Sequence, residues 1–401
     1  MNNALNDLHP YPFEKLAALK AGIMPPALNH IALSIGEPKH SPPPFVLEAL
    51  IANLDKLTQY PLTKGLPELR IAIAQWASNR FGLNNTLDAE QHILPVAGTR
   101  EALFAFTQAV INGDTNKTNN KPKVLMPNPF YQIYEGAALL AGAEPYFLNC
   151  TADNSFLPDL DAVPSDVWQD CQLLFLCSPG NPTGAVMDEA YFIKALELAE
   201  EYDFIIASDE CYSELYFDEA QPPVGLLQAC INSGRKDFKR AVVFHSLSKR
   251  SNLPGLRSGF VAGDGDVLAQ FLKYRTYHGC ALSVPTQLAS LAAWQDEAHV
   301  KANRDLYRQK FTQVVEILNP VLPVAIPSAS FYLWPQTPIA DTDFAQQLFA
   351  QQNVTVLPGQ YLARATATGN PGENYIRMAL VANVEECIDA AQRIRRFVES
   401  L

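Results

Sequence analysis

Residues 241–249 of this chain read AVVFHSLSK, and this stretch decides the fold. Its first four residues are continuously apolar, which is typical of a strand that a sheet buries on both faces. The polar remainder predicts that the amine of Lys249 lies on the loop leaving this strand. Arg257 follows, within PGLRSGF at 254–260. A loop lysine flanked by serines and followed by an arginine suits an amine that forms an imine beside a phosphate pocket, the chemistry of pyridoxal 5'-phosphate (PLP). Taken alone, Lys249 is more typical of an ordinary surface loop, so the rest of the chain has to supply the evidence.

Similar apolar runs recur and alternate with helical patterns. They lie at 92–96, 123–126, 144–148, 172–177, 203–207, 241–245 and 259–262. Helical periodicity fills intervals such as 100–110, 131–140 and 188–202. Near-continuous apolar strands joined by helices predict a mostly parallel sheet covered on both faces. We therefore predict an α/β fold, a three-layer sandwich around a mostly parallel central sheet.

The pattern changes near residue 299, where a long charged helix begins a second, smaller α/β unit. We predict an N-terminal arm at 1–45 that also joins the small domain, a large cofactor-binding domain at 46–298, and a small C-terminal domain at 299–401. The polar run at 112–122 predicts a surface loop.

Composition excludes several classes of function. The net charge of −12 makes nucleic acid a poor partner, because phosphate binding needs a basic surface. No apolar stretch approaches the length of a membrane span, and the first 20 residues lack the apolar core of a secretory signal. Seven scattered cysteines without a CxxC pair favour reduced thiols in the cytoplasm. The histidines show no metal-ligand spacing, so no metal is expected.

Polar groups follow five of the predicted strands. In open α/β sheets, ligands bind beyond the carboxyl ends of the strands, so these groups should converge. They are GTR at 98–100, NPFY at 128–131, SPGNPTG at 178–184, SDECY at 208–212 and SLSK at 246–249. Each one alone is also typical of a turn or a helix cap. Five together favour a PLP site.

These motifs resemble the fold-type-I, class I and II aminotransferases. SPGNPTG, SDECY, SLSK and PGLRSGF occur in the family's order and spacing, and the likeness extends from about residue 33 to 377. The resemblance implies PLP as cofactor, amino acids and 2-oxo acids as substrates, and the PLP-dependent transferase fold type I.

The resemblance also implies a role for each motif. Lys249 would bind PLP covalently and later move the substrate's α-proton. Asp209 would pair with the pyridine nitrogen, although a helix cap is its plain alternative. Asn181 and Tyr212 would bind the 3'-oxygen of the cofactor, and Tyr131 would stack on its ring.

Further residues are implied in binding the cofactor phosphate and the substrate. The phosphate group comprises Gly98, Thr99, Arg100, Ser246, Ser248 and Arg257. Tyr60 matches a family tyrosine that reaches the phosphate of a neighbouring subunit, which implies a homodimer with sites at its interface. Arg377 would grip the α-carboxylate as a bidentate fork, with Asn181 and the backbone of Gly36 beside it, although Arg377 alone is equally typical of a surface salt bridge. One departure is SAS at 328–330, where many relatives have glycine before the aromatic pair.

Longer stretches resemble one branch of the family. YPFEKL at 11–16, LSIGEPKH at 33–40 and YRTYHGC at 274–280 are similar to the succinyldiaminopimelate aminotransferases of bacterial lysine biosynthesis. This likeness implies amino transfer between N-succinyl-LL-2,6-diaminopimelate and 2-oxoglutarate. Both substrates carry a distal carboxylate, for which Arg275 and Arg100 are the candidate cations, although a contact with the surface of the large domain is the plain alternative for Arg275.

Other functions stay open at this point. The chain could be an aminotransferase for aspartate, aromatic amino acids or acetylornithine, or a PLP-dependent C–S lyase with the same cofactor residues. A PLP-binding regulator without turnover is disfavoured because the segment ahead of Tyr11 is not a basic DNA-binding segment. A nicotinamide enzyme is disfavoured because GDGD at 263–266 is a poor substitute for GxGxxG after a strand.

Overall fold

The computed structural model describes residues 1–113 and 120–401. The centre of the polar run that was predicted to be a surface loop, 114–119, lies outside the described residues. The helices of the described part are α1 Pro12–Leu19, α2 Pro44–Ile51, α3 Pro67–Phe81, α4 Thr99–Val110, α5 Ile133–Leu140, α6 Ser165–Asp170, α7 Glu189–Tyr202, α8 Leu226–Asn232, α9 Leu247–Arg250, α10 Gly265–His278, α11 Val284–Trp294, α12 Ala298–Leu318, α13 Asp341–Gln352 and α14 Val384–Val398.

The strands are short and mostly buried. They are β1 Ile31–Ala32, β2 Ile93–Val96, β3 Lys123–Asn128, β4 Glu144–Asn149, β5 Cys171–Cys177, β6 Ile205–Asp209, β7 Ala241–Ser246, β8 Gly259–Gly263, β9 Tyr332–Leu333, β10 Val354–Thr355, β11 Leu357–Pro358 and β12 Ile376–Ala379. Short 3₁₀ turns lie at Asn3–Asp7, Leu54–Thr58, Ala152–Asn154, Pro254–Leu256 and Gly359–Leu362.

The large sheet has the strand order β2-β8-β7-β6-β5-β3-β4 within the described residues. Strands β3 to β7 pair in parallel, and only β8 runs antiparallel to its neighbours β2 and β7. Each predicted apolar run overlaps one of these strands. The prediction of an α/β fold with a mostly parallel central sheet is confirmed.

Alternate side chains of the central strands enter two separate cores. Leu174 and Val243 pack on one face beneath α3, α7, α8 and α11. Phe175 and Phe244 pack on the other face beneath α4, α5 and α10. This period of two arises because successive strand residues point to opposite faces of a sheet. The three-layer sandwich is therefore present, and the continuous apolar runs reflect a sheet buried on both sides.

A third core joins the two ends of the chain. Ile31 and Leu33 pack with α12, α13, α14 and the small strands. β1 pairs in parallel with β10, and β12 lies between β11 and β9 in an antiparallel sheet. The N-terminal segment thus shares a core with the C-terminal helices and strands. The domain boundaries at 45/46 and 298/299 stay predictions.

The parallel strands fix where the polar motifs meet. β3, β5, β6 and β7 end at residues 128, 177, 209 and 246 on the same edge of the sheet. The residues that follow these ends converge there, as the sequence predicts. No described helix is both long and apolar enough to cross a membrane. The cytoplasmic location stays a prediction.

Candidate active site

A cavity of about 490 Å³ opens at the carboxyl edge of the large sheet. Most of the predicted site residues line it, and those that do are Gly36, Thr99, Arg100, Tyr131, Asn181, Asp209, Tyr212, Ser246, Ser248, Lys249, Arg257 and Arg377. The structure thus brings together side chains from five strand ends, the N-terminal segment and β12. Gly98, Tyr60 and the candidate cation Arg275 are the predicted residues outside its lining.

Lys249 lies in the short helix α9, directly beyond β7. Ser246 begins this turn, because its hydroxyl accepts a hydrogen bond from the Ser248 amide at 3.1 Å. The Lys249 Nζ donates to the carbonyl oxygen of Gly36 at 2.5 Å and lies 5.0 Å from the centre of the Phe331 ring. Burial is the main cause that lowers the pKa of Lys249 from 10.5 to about 8. An amine in this range is partly neutral near pH 7 and can take up a proton.

Asp209 ends β6 as a buried carboxylate at the floor of the cavity. It accepts hydrogen bonds from the Tyr134 hydroxyl at 2.7 Å and from the Cys211 amide at 3.3 Å. Burial raises its pKa, although these bonds oppose the rise. No cationic side chain of the described residues forms an ion pair with it. Because no helix begins here, Asp209 is not a helix cap. A buried acid without a cation suits the protonated ring nitrogen of PLP.

Arg377 extends from β12 across the cavity. It is 5% exposed, and its guanidinium donates to Asn181 Oδ1 at 3.1 Å and to the Ser34 carbonyl at 2.7 Å. The group also lies over the Tyr332 ring, 4.6 Å from its centre. Its Nε has no partner in the described part of the chain. A buried arginine without a carboxylate is a ready site for an anionic substrate, and the surface salt bridge that was its alternative is absent from the described residues.

Tyr212 and Asn181 lie beside this arginine. The Tyr212 hydroxyl is 3.1 Å from the hydroxyl of Tyr332. Asn181 comes from the loop after β5, and its side-chain oxygen is turned toward Arg377. Both residues line the cavity that Lys249 enters, which is compatible with their predicted contact with the 3'-oxygen of the cofactor.

The predicted phosphate group forms a cradle at the start of α4. Gly98 has φ of 89°, and a Cβ there would lie 2.1 Å from the Arg257 guanidinium. Only glycine therefore lets Arg257 approach this backbone. Backbone amides at a helix N-terminus, two buried serine hydroxyls and an arginine fork are the donors that a phosphate needs. Together with Asp209, this donor set fits PLP.

Arg100 lies on the wall of the cavity beside two phenols. Its Nε donates to the Tyr131 hydroxyl at 2.6 Å, and its Nη2 lies 3.4 Å from the Tyr11 hydroxyl. Phe130, the residue before Tyr131, is buried away from the cavity, whereas Tyr131 lines it. Tyr11 comes from the start of α1, so the N-terminal arm closes this side.

The prediction that Arg275 is a candidate cation for the distal carboxylate is wrong. Arg275 is fully buried outside the cavity, and its Nη1 lies 3.1 Å from each carboxylate oxygen of Glu101. Its charge is therefore neutralised within the protein. Glu101 also lies near His278 and Cys280, with ligand-type atoms within 4.8 Å of one another. Because Arg275 already holds both oxygens of Glu101, this group is not assigned to a metal.

Several lining residues were missed from the sequence. Tyr134 binds Asp209 and lies one helical turn after Tyr131 in NPFYQIY, so its spacing was a usable signal. Tyr134 itself lies outside the lining of the cavity, whereas Glu37, Cys211 and Tyr332 line it. The Cys211 Sγ lies 3.2 Å from Thr99 Oγ1 at the cavity wall. Tyr60 is fully exposed and is not among the residues that line its own cavity, and its predicted role toward a second subunit stays a prediction.

Comparisons with known proteins agree with this geometry. Residues 29–394 match the model of the family described as aminotransferase class I and II. A solved aminotransferase from Neisseria meningitidis is 50% identical, covers 99% of this chain and 100% of its own, and has a TM-score of 0.94. The LL-diaminopimelate aminotransferase of Syntrophobacter fumaroxidans is 33% identical over 97% of this chain and 96% of its own. A probable N-succinyldiaminopimelate aminotransferase from Thermus thermophilus is 28% identical, covers 96% and 99%, and has a TM-score of 0.82.

The lowered pKa of Lys249 can be tested on the cofactor-free chain. Because only the neutral amine reacts, trace acetylation at position 249 should rise with pH and reach half its maximum at about 8. Mass spectrometry of the peptide that contains Lys249 measures this profile, and Lys249→Arg gives the background. A midpoint near 10.5, the ordinary value, would contradict the burial argument.

Proposed function

The chain belongs to the class I and II aminotransferases, which depend on PLP, and we propose that its substrates are N-succinyl-LL-2,6-diaminopimelate and 2-oxoglutarate. The reaction would move the α-amino group between them in cytoplasmic lysine biosynthesis. The observation that carries this proposal is Arg100, a cavity cation whose hydrogen bonds go to neutral phenols.

The charges of the cavity support a substrate with two or more carboxylates. Its cations are Lys249, Arg257, Arg377 and Arg100. The first three suit the cofactor aldehyde, the cofactor phosphate and the substrate α-carboxylate. Arg100 has no carboxylate partner among the described residues. A distal carboxylate of the substrate would pair with it, since a cation in a cavity favours an anion.

The names of similar proteins support a diaminopimelate skeleton. The Thermus protein is named a probable N-succinyldiaminopimelate aminotransferase, and the Syntrophobacter protein an LL-diaminopimelate aminotransferase. The second name favours one other candidate, free LL-diaminopimelate. That substrate carries a distal ammonium group, which needs an acid, and Glu37 is the exposed carboxylate of the cavity. The succinylated substrate has an amide there instead and needs no such acid.

The proposed mechanism assigns a task to each group. Bound PLP carries the amino group between substrates and delocalises the charge left on the α-carbon. Lys249 would hold the cofactor, remove the α-proton and return a proton, which its lowered pKa permits. Asp209 would hold the ring nitrogen in its charged form. Arg377 would fix the α-carboxylate so that the bond to be broken stays oriented.

The remaining cofactor residues have binding roles in this proposal. Asn181 and Tyr212 would hold the 3'-oxygen, and Tyr131 would cover the ring. The phosphate would be held by Gly98, Thr99, Arg100, Ser246, Ser248 and Arg257. In this arrangement the Arg100 backbone serves the phosphate while its side chain remains available to substrate.

A homodimer is part of the proposal. The segment 47–62 exposes large apolar side chains, namely Leu47, Ile51, Leu54, Leu57, Tyr60 and Leu62. Exposed apolar surface of this kind is typical of a protein interface. Tyr60 would then reach the phosphate of the second subunit, as the family resemblance implies. Each active site would need both chains.

The substrate proposal is tested by the variants Arg100→Met and Glu37→Gln. We expect Arg100→Met to lower kcat/KM for N-succinyl-LL-2,6-diaminopimelate about tenfold to 100-fold, because a charged hydrogen bond to the distal carboxylate is lost. Glu37→Gln should leave this substrate within about threefold of wild type, since no ammonium needs pairing. Initial rates with 2-oxoglutarate measure both.

The same two variants distinguish free LL-diaminopimelate, the second candidate, from the succinylated substrate. If wild type prefers free LL-diaminopimelate and Glu37→Gln weakens its use, the succinylated substrate is wrong. Arg100→Lys serves as the matched control, because a point charge retains attraction but loses the planar fork. Equal rates for Arg100→Met and wild type would show that the distal group binds elsewhere.

Asp209→Asn should lower turnover about 100-fold or more, because a neutral amide cannot stabilise a charged ring nitrogen. The amide retains an oxygen for the Tyr134 hydroxyl and removes a buried charge, so the melting temperature of the cofactor-free variant should not fall. Transamination rates of the cofactor-loaded variant and a melting curve of the cofactor-free variant give the two readouts. A loss below tenfold would leave Asp209 as a structural group only.

Tyr60→Phe tests the shared site, because it removes one hydroxyl and preserves the apolar ring. We expect the rate constant for PLP dissociation to rise about tenfold, since one hydrogen bond to a charged group is lost. Sedimentation should still show a dimer, because the exposed apolar surface is intact. Cofactor release at the wild-type rate would mean that Tyr60 does not reach the phosphate.

A further inference from the structure

Lys310 is a buried cation that the proposed mechanism does not use. It lies on α12, is 1% exposed, and forms no ion pair with any carboxylate of the described residues. Its Nζ lies 2.6 Å from His40 Nε2 and donates to the Leu380 carbonyl at 3.2 Å. A buried ammonium group without an acid is costly, so a positional reason for keeping it is expected.

The protonation of the pair fixes the direction of each bond. Burial first, and then the charge of Lys310, lower the pKa of His40 to about 4. Burial also lowers the pKa of Lys310 to about 8, so at neutral pH the lysine carries the proton and the imidazole is neutral. His40 Nε2 therefore accepts from Lys310. Its Nδ1 carries the hydrogen and donates to Asn303 Oδ1 at 2.7 Å.

Asn303 connects His40 to the main chain of Lys249 by hydrogen bonds. Its Oδ1 also accepts from the Asn252 amide at 2.9 Å, so the orientation of the Asn303 side chain is determined by two donors. Its Nδ2 then points to the carbonyl oxygen of Lys249 at 3.3 Å. A chain of hydrogen bonds thus extends from the core of the small domain to the residue whose amine enters the cavity.

The two ends of this chain meet again at the cavity. The Lys249 amine donates to the Gly36 carbonyl, four residues before His40. The same segment supplies the Ser34 carbonyl, which accepts from Arg377. Segment 34–40 is consequently tied both to the amine and to the site of the α-carboxylate.

We propose that His40, held between Lys310 and Asn303, is a positioning residue that fixes segment 34–40 against the backbone of Lys249. It thereby fixes the position of the Lys249 amine relative to Arg377. Its effect on the reaction passes through Lys249 and Gly36. The inference rests on the proposed role of Lys249 but not on the identity of the distal group. The donor amino acid in its test is therefore whichever one wild type uses fastest.

The experiment compares His40→Ala with His40→Gln in the cofactor-loaded enzyme. A glutamine side chain offers one acceptor and one donor, so it can replace both bonds of the imidazole. We expect His40→Ala to lower the single-turnover rate and to weaken donor binding, with kcat/KM per loaded site about tenfold lower or more. His40→Gln should recover to within about threefold of wild type, since both bonds are restored.

Hydrogen exchange gives a readout that needs no turnover. In His40→Ala, peptides covering 33–41 and 246–253 should exchange faster, whereas strands β5 and β6 should not change. Because kcat/KM is calculated per cofactor-loaded site, a loss of folded protein does not change its value. Unchanged kcat/KM per loaded site in His40→Ala, or a loss in His40→Gln as large as in His40→Ala, would overturn the proposal.

Lys310 provides a second route if His40→Ala does not fold. Lys310→Gln keeps a donor for His40, whereas Lys310→Met does not, so the first should retain more activity per site than the second. Lys301→Met, an exposed change on the same helix, is the matched control and should match wild type. Equal rates for both Lys310 variants and the control would also overturn the proposal. Lys249→Ala, assayed alongside, tests the role of the amine separately. Turnover in that variant would refute the proposed role of Lys249, on which the inference rests.

Discussion

The hydrogen bond from the Lys249 amine to the Gly36 carbonyl is the contact on which the site depends. It joins the carboxyl edge of the large sheet to the N-terminal segment that packs in the small core. The amine is buried where it meets this segment, and burial is the main cause that brings the pKa of Lys249 to about 8. Fold and reactivity are therefore coupled, because the segment that closes the cavity also creates the dry surroundings that the amine needs.

An excess of cations over acids explains the rest of the cavity. Arg377 and Arg257 face the same space as Lys249, while the buried acid Asp209 lies at its floor. Cations in a partly buried cavity without matching acids are unfavourable unless an anion binds. The polar groups are thus arranged for anionic ligands, and PLP with a carboxylate substrate supplies the missing charges. The buried carboxylate of Asp209 needs a cation instead, and the protonated ring nitrogen of PLP would supply it.

Much of this arrangement could be predicted because parallel strands carry two signals in sequence. The apolar runs mark buried strands, and the polar motif after each run marks the edge where ligands bind, so SLSK and SPGNPTG were assigned to one cavity from spacing and family likeness. What sequence could not give was pairing at long range. Arg275 was a reasonable candidate for a substrate cation until Glu101 was found against it, 174 positions away. The antiparallel direction of β8 and the bond of Tyr134 to Asp209 likewise depend on tertiary packing.

Two buried lysines show why a shifted pKa does not by itself identify a catalytic group. Burial lowers the pKa of both Lys249 and Lys310 to about 8. Lys249 enters a cavity lined by anion-binding groups, so its neutral form can meet a substrate. Lys310 is enclosed by His40, the Leu380 carbonyl and the Tyr307 ring, and no ligand can reach it. A similarly lowered pKa therefore does not imply the same role. We propose a chemical task for Lys249 and a positional one for Lys310, and the difference lies in what each amine faces.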